Sequence, residues 1–115
     1  MILQETYSLN NGMTIPKVGF GTWMIDDEAV VQAVKDALEI GYRHIDTAQA
    51  YGNERGVGEA IRTSGVDRSE IFLTSIVAAE HKTYEAAASS IDESLEKLGL
   101  ETIDLMIIHA PQPWD

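Results

Sequence analysis

Asp46 and Tyr51 are the residues of this chain best placed to do chemistry together. They lie in the run Gly41-Tyr42-Arg43-His44-Ile45-Asp46-Thr47-Ala48-Gln49-Ala50-Tyr51-Gly52-Asn53-Glu54. The run leads from the end of one helical pattern, through a short strand, into a loop that opens the next helix. A carboxylate at the end of a parallel strand and a phenol in the loop after it form a pair suited to proton transfer. A phenol alone is a poor acid near neutral pH, since its ordinary pKa is about 10. An ammonium beside it would stabilise the phenolate and ease proton release, and a carboxylate could hold that ammonium in place. His109, at the end of the last apolar run, adds an imidazole that could orient an oxygen atom.

These groups need a scaffold, and the apolar pattern supplies one. Glu5 to Val18 reads as two short strands around Asn10-Asn11-Gly12, because Asn and Gly tolerate positive φ in a hairpin turn. Phe20 to Trp23 follows as a short strand. Asp26 or Asp27 then caps a helix with the stripe Val30 or Val31, Val34, Ala37 or Leu38, stopped at Gly41. Arg43 to Thr47 is the next strand, and Asn53 or a neighbour caps a second helix through Val57 and Ile61. Ile71 to Val77 is a near-continuous apolar strand. Thr83 caps a third helix with the stripe Ala87 or Ala88, Ile91, Leu95 and Leu98, stopped at Gly99. Ile103 to His109 is a fourth strand, closed by Pro111 and Pro113. Strands that alternate with helices and lack polar alternation imply a parallel sheet covered by helices. The pattern ends after the fourth strand with no helix beyond it.

Composition narrows the function. The chain has 115 residues and is read as one domain, 1–115, less than half of a typical eight-fold barrel of about 250 residues. Its net charge is −11, and the eight Lys and Arg residues are scattered singly, so no basic patch suits nucleic acid or anionic lipid. There is no cysteine, which excludes disulfides, thiolate metal sites and cysteine nucleophiles. No apolar run has the length of a membrane span, and Met1 to Glu5 lacks a basic leader segment; a cytoplasmic protein is expected.

The segments Gly19-Phe20-Gly21-Thr22-Trp23, 41–54, Asp92-Glu93-Ser94-Leu95 and Ile103 to His109 resemble the aldo-keto reductases, in particular bacterial diketogluconate-reductase-like members, and the likeness runs from Tyr7 to Trp114. The resemblance implies half of a (β/α)8 TIM barrel and an ancestral NADPH-dependent reduction of aldehydes and ketones. It implies a tetrad of Asp, Tyr, Lys and His, in which Asp46, Tyr51 and His109 fill three places. It also implies that Thr22 and Asp46 would face the nicotinamide, while Trp23, Tyr51 and His109 would line a substrate pocket.

The resemblance fails at the fourth place. The family pattern Leu-Thr-Ser-Lys reads Leu73-Thr74-Ser75-Ile76 here, and Ile76 carries no charge to act on Tyr51 or pair with Asp46. In the family, the barrel's second half supplies most contacts to the cofactor's phosphates and adenine, so NADPH is not expected to bind this chain. The glycines at 52, 56 and 58 look like a phosphate loop, but Ile61 stands where a third glycine is needed. They are read as an ordinary loop-to-helix junction.

Plainer readings apply to the remaining candidates. His44 and His81 have no partner at ligand spacing, so no metal site is expected. Trp23 and Trp114 are pocket walls or plain packing, and Met13, Met24 and Met106 are core filling. Three functions compete: an inactive, reductase-derived half-barrel, as a fragment or by engineering; a small-molecule-binding or regulatory module; and a reductase active only on association with a missing half. Unpaired strand edges and a bare inner face predict self-association, a homodimer or higher.

Overall fold

Hydrophobic period decides the elements, and the computed structural model describes them over residues 1–108. β1 (Thr6–Ser8) and β2 (Thr14–Pro16) pair antiparallel, with Tyr7 opposite Ile15. Gly12 makes the turn at φ +87°, and Asn11 Oδ1 accepts the Met13 amide. β3 (Gly19–Gly21), β4 (His44–Asp46), β5 (Phe72–Val77) and β6 (Leu105–Ile108) then lie side by side in chain order, each parallel to the next. α1 (Ala29–Ile40), α2 (Glu54–Thr63) and α3 (Tyr84–Leu98) are the crossovers between them. This is the expected α/β order of four parallel strands, three helices and a leading hairpin. β4 and β5 are a little shorter than the apolar runs that predict them, and β3 begins one residue earlier than its run and ends at Gly21.

The helices cover one face of the sheet. Val30, Val34, Leu38, Val57 and Ile61 pack with Ile45 and Leu73 in a single buried cluster. Burying a side chain of this kind contributes about 1.5–3 kcal/mol. Two glycines let α2 sit close to its neighbours. A Cβ at Gly56 would strike the backbone of Asp27 and the side chain of Val30, and one at Gly58 would strike the backbone of Leu98. The apparent phosphate loop is thus a close-packing device.

Capping follows the sequence in part. Asp26 Oδ1 accepts the amides of Glu28 and Ala29, and Thr83 Oγ1 accepts that of Ala86. Gly41 and Gly99 end their helices with positive φ. Asn53 departs from its expected role: it occupies the N-cap of α2, but its side chain turns inward to other loops. Asp27 Oδ1 accepts the Gly56 amide in its place, from across the helix pair.

Two packing expectations are corrected. The buried positions of α3 are Ser90, Ser94 and Leu98, whereas Ile91 and Leu95 are half-buried. The serines face inward because buried polar partners await them, as described below. Met24 is 81% exposed and Met13 also lies at the surface, so neither fills the core; Met106 is half-buried. Among the described residues no helix is long and apolar enough to cross a membrane.

The hairpin lies at the N-terminal end of the sheet. It shares a cavity of about 780 Å³ with Arg43, Phe72 and Asp104, at the starts of β4, β5 and β6. That is the end opposite Asp46, as expected.

Candidate active site

Strand alternation places the candidate residues. Gly21, Asp46, Thr74 and Leu105 stand abreast on β3, β4, β5 and β6, and Ile76 stands abreast of Ile107 one rung further on. Ile45 and Leu73 belong to the helix-covered face, so His44, Asp46, Thr74 and Ile76 share the opposite, inner face. Asp46 is the last residue of β4. Tyr51 ends the single 3₁₀ turn Gln49–Tyr51 in the loop beyond it. The carboxylate, the phenol and Ile76 therefore all sit at the C-terminal mouth of the sheet. His109, Pro111, Pro113 and Trp114 lie outside the described residues.

The loops at this mouth are bound together through Asn53. Its amide donates to the carbonyls of Thr22 (2.8 Å) and Ile25 (2.9 Å), and its Oδ1 accepts the Thr47 hydroxyl at 2.7 Å. Thr22 is fully buried, and both its amide and its hydroxyl donate to the Asp46 carbonyl. One side chain thus ties the loop after β3 to the loop after β4. The same loop holds Trp23 out at 70% exposure, and Met24 takes φ +65°, a strained left-handed conformation for a residue with a Cβ.

The electrostatics run against proton donation. Among the described residues no side chain hydrogen-bonds to the Asp46 carboxylate or ion-pairs with it. Burial lifts its pKa above the ordinary carboxylate value, and the neighbouring His44 only partly offsets this. Burial also lifts the Tyr51 phenol above 10, and the Asp46 charge lifts it further. A proton-donating tyrosine needs the opposite shift. At position 76, where an ammonium could lower it, stands an isoleucine.

His44 has a structural role. Its Nε2 lies 2.9 Å from Thr74 Oγ1, its ring meets Phe72 edge-on, and Gly19 leaves room for it on the adjacent strand. Burial lowers its pKa, against the raising influence of Asp46 and Asp104. No group of three or more metal-capable side chains comes together among the described residues.

The mouth also contains groups that sequence reasoning missed. Glu54, only 3% exposed, accepts the hydroxyls of Ser75 (2.7 Å) and Ser94 (3.2 Å). Gln49 donates to Ser90 and Ser94 and accepts the Ala78 amide. Serines recurring on α3 at 90 and 94, one helical turn apart, were the available signal.

Among the described residues, the donor set does not fit the phosphates of a dinucleotide. Arg55 is engaged by Asp27 and Glu59, and the exposed Lys82 is the one cation in the loop after β5.

Comparison with known proteins agrees with this geometry. The Aldo/keto reductase family matches residues 17–115. Over 103 residues the chain is 47% identical to methylglyoxal reductase DkgB of Salmonella typhimurium, covering 90% of this chain and 39% of that protein. It is 48% identical over 105 residues to a 9,11-endoperoxide prostaglandin H2 reductase of Trypanosoma cruzi, covering 90% and 37%. A crystal structure of an aldo/keto reductase from Brucella melitensis superposes with a TM-score of 0.93 at 48% identity, covering 98% of this chain and 44% of that one. The chain spans about two fifths of the length of these relatives.

Proposed function

The chain belongs to the aldo/keto reductase family, and from that premise we propose that it is a half-barrel with the geometry of NADPH-dependent carbonyl reduction but without its proton-transfer machinery. The observation that carries this reading is Ile76. It shares the inner face with Asp46 at the mouth of the sheet, where an ammonium would both pair with that carboxylate and acidify Tyr51. With isoleucine there, position 76 offers nothing to lower the phenol's pKa or to pair with the carboxylate. NADPH would supply the hydride to an aldehyde or ketone in an intact relative. Among the described residues of this chain, no set of cations is arranged to hold the cofactor's phosphates.

The test is NADPH consumption, followed spectrophotometrically with methylglyoxal as the carbonyl. The expected rate is at least about 10³-fold below that of an intact relative, since losing a positioned acid alone removes roughly 10²–10⁴. Ile76→Lys alone should not restore it. Robust turnover by the chain as written would overturn the reading.

A second reading, assembly with another copy, draws on the inner face. Leu105 and Ile107 of β6 are 37% and 42% exposed, and β3 and β6 are the outer strands of the described sheet. Two copies pairing β3 with β6 of the other would make eight strands. In a barrel core, alternate strands contribute to one layer of side chains. Ile76 and its symmetry mate would then share a layer, where two lysines would repel and two isoleucines pack.

A further inference from the structure

Tyr51 has no secondary-structure ladder to hold it. It ends a single 3₁₀ turn whose own backbone closure is one bond, from the Tyr51 amide to the Ala48 carbonyl. A turn of this length is not stable alone, so the position of the phenol must be fixed by side chains. The first residue of the turn provides them. Gln49 Oε1 accepts the Ala78 amide at 2.8 Å, immediately past the end of β5. Its Nε2 donates to Ser90 Oγ at 3.0 Å and Ser94 Oγ at 3.1 Å on α3. The amide is thereby fully engaged with two other elements.

The bonds continue inward with consistent direction. The Ser94 hydroxyl, which accepts from Gln49, donates to Glu54 Oε1, and the Ser75 hydroxyl donates to Glu54 Oε2. Ser90 donates to the Ala87 carbonyl of its own helix. Glu54, Ser75, Ser90 and Ser94 are all buried. Glu54 opens α2, and Ser75 is the strand neighbour of Ile76, pointing to the opposite face. The chain Gln49–Ser94–Glu54–Ser75 therefore joins the phenol-bearing turn to the strand that carries position 76.

We propose that Gln49 is the positioning residue of the mouth: its amide, relayed through Ser94 and Glu54, fixes the Tyr51 turn relative to position 76 of β5. The role is separate from substrate contact, since Gln49 reaches α3 and the end of β5 and acts on the reacting phenol only through the backbone. A buried network whose members are all paired holds a single geometry, because every alternative leaves a polar group unsatisfied. The apolar core cannot supply that precision to a loop. The inference rests on the proposed function only in taking Tyr51 and position 76 as the groups that matter.

The test follows the Tyr51 phenol by NMR of isotope-labelled tyrosine through a pH titration, in the chain itself and in Gln49→Met, which keeps the bulk and removes every bond. In the wild-type chain the phenol should titrate above its ordinary value, for the reasons of burial and the Asp46 charge given above. In Gln49→Met it should move back towards about 10, and the Ala78 amide should exchange its hydrogen at least about 10-fold faster. Ser90→Ala, which removes one acceptor, should give a smaller shift in the same direction and covers the case in which Gln49→Met fails to fold. An unchanged Tyr51 titration in a folded variant would overturn the proposal. No arm uses NADPH, so failure here leaves the reductase reading intact, and turnover by the wild-type chain leaves this one intact.

Discussion

The two ends of the sheet are built on different principles. At the N-terminal end Arg68, Arg43 and Lys17 are each held by named partners. Arg68 donates to the carbonyls of Ile71 and Thr102 and to Asp104 Oδ2, and that oxygen also accepts the Leu73 amide. Arg43 donates to the carbonyls of Leu38 and Tyr42, and Lys17 pairs with Glu5. At the C-terminal mouth Asp46 has no such partner among the described residues, Trp23 and Met24 lie open, and Met24 takes a strained φ. Barrel folds place stability at the first end and chemistry at the second. In this chain the first end is ion-paired, and at the second Ile76 carries no charge.

Breaking the contrast at the N-terminal half should give the largest effects. Gly58→Ala should destabilise the fold by about 3 kcal/mol, because the added methyl meets the Leu98 backbone, which cannot move aside cheaply. The gain in helix propensity is smaller than that penalty. Urea unfolding would measure it. Arg68→Met should cost about 2 kcal/mol, since it strands the half-buried Asp104 and two carbonyls. Either variant retaining wild-type stability would remove the basis of the comparison.

Substitutions at the mouth should be smaller and of opposite sign. Asp46→Asn should stabilise the chain at neutral pH, by on the order of 0.5 kcal/mol after solvent screening. The sign follows from linkage. The folded-state pKa of Asp46 is raised, so its contribution is most favourable below the unfolded value of 3.8 and is lost as pH rises through the folded value. The advantage of Asp46→Asn should therefore vanish in acid. His44 acts in the other direction. Its folded pKa is lowered, so its contribution is full above 6.5 and is lost as pH falls through the folded value. Thermal melts of both proteins across pH 3–8 would separate the two. Equal pH profiles would show that Asp46 is not the group responsible.

The smallest expected change in stability is also the most diagnostic for the site. Ile76→Lys should lower the Tyr51 pKa, with the Asp46 carboxylate as counter-ion, and leave NADPH turnover undetected. If copies assemble as proposed, the same substitution should shift sedimentation towards monomer. A wild-type chain that sediments as a monodisperse monomer at about 10–100 μM would remove that second reading.

The order of elements was readable because each helix shows its apolar stripe and each buried strand a continuous apolar run. Val30, Val34, Val57 and Ile61 behave as their spacing requires. The positions of Asp46, Tyr51 and Ile76 were readable from motif and register together. The capping of α2 was not, because Asn53 serves either a helix end or a tie between two loops equally well by type, and only the approach of Thr22, Ile25 and Thr47 decides between them. Nor was the inward face of α3, since Ser90 and Ser94 look like solvent-facing residues until Glu54 and Gln49 are placed beside them.

The amino-acid order by itself determined the alternation of strand and helix, the absence of a charge at 76 and the absence of cysteine chemistry. These follow from residue type and local period, which need no neighbour distant in sequence. Tertiary structure alone decided which polar side chains are buried together, which carboxylates are paired and in which direction Tyr51 shifts. Those properties depend on distances between segments 21 to 41 residues apart in the chain, and solvation at such a point is set by what packs around it.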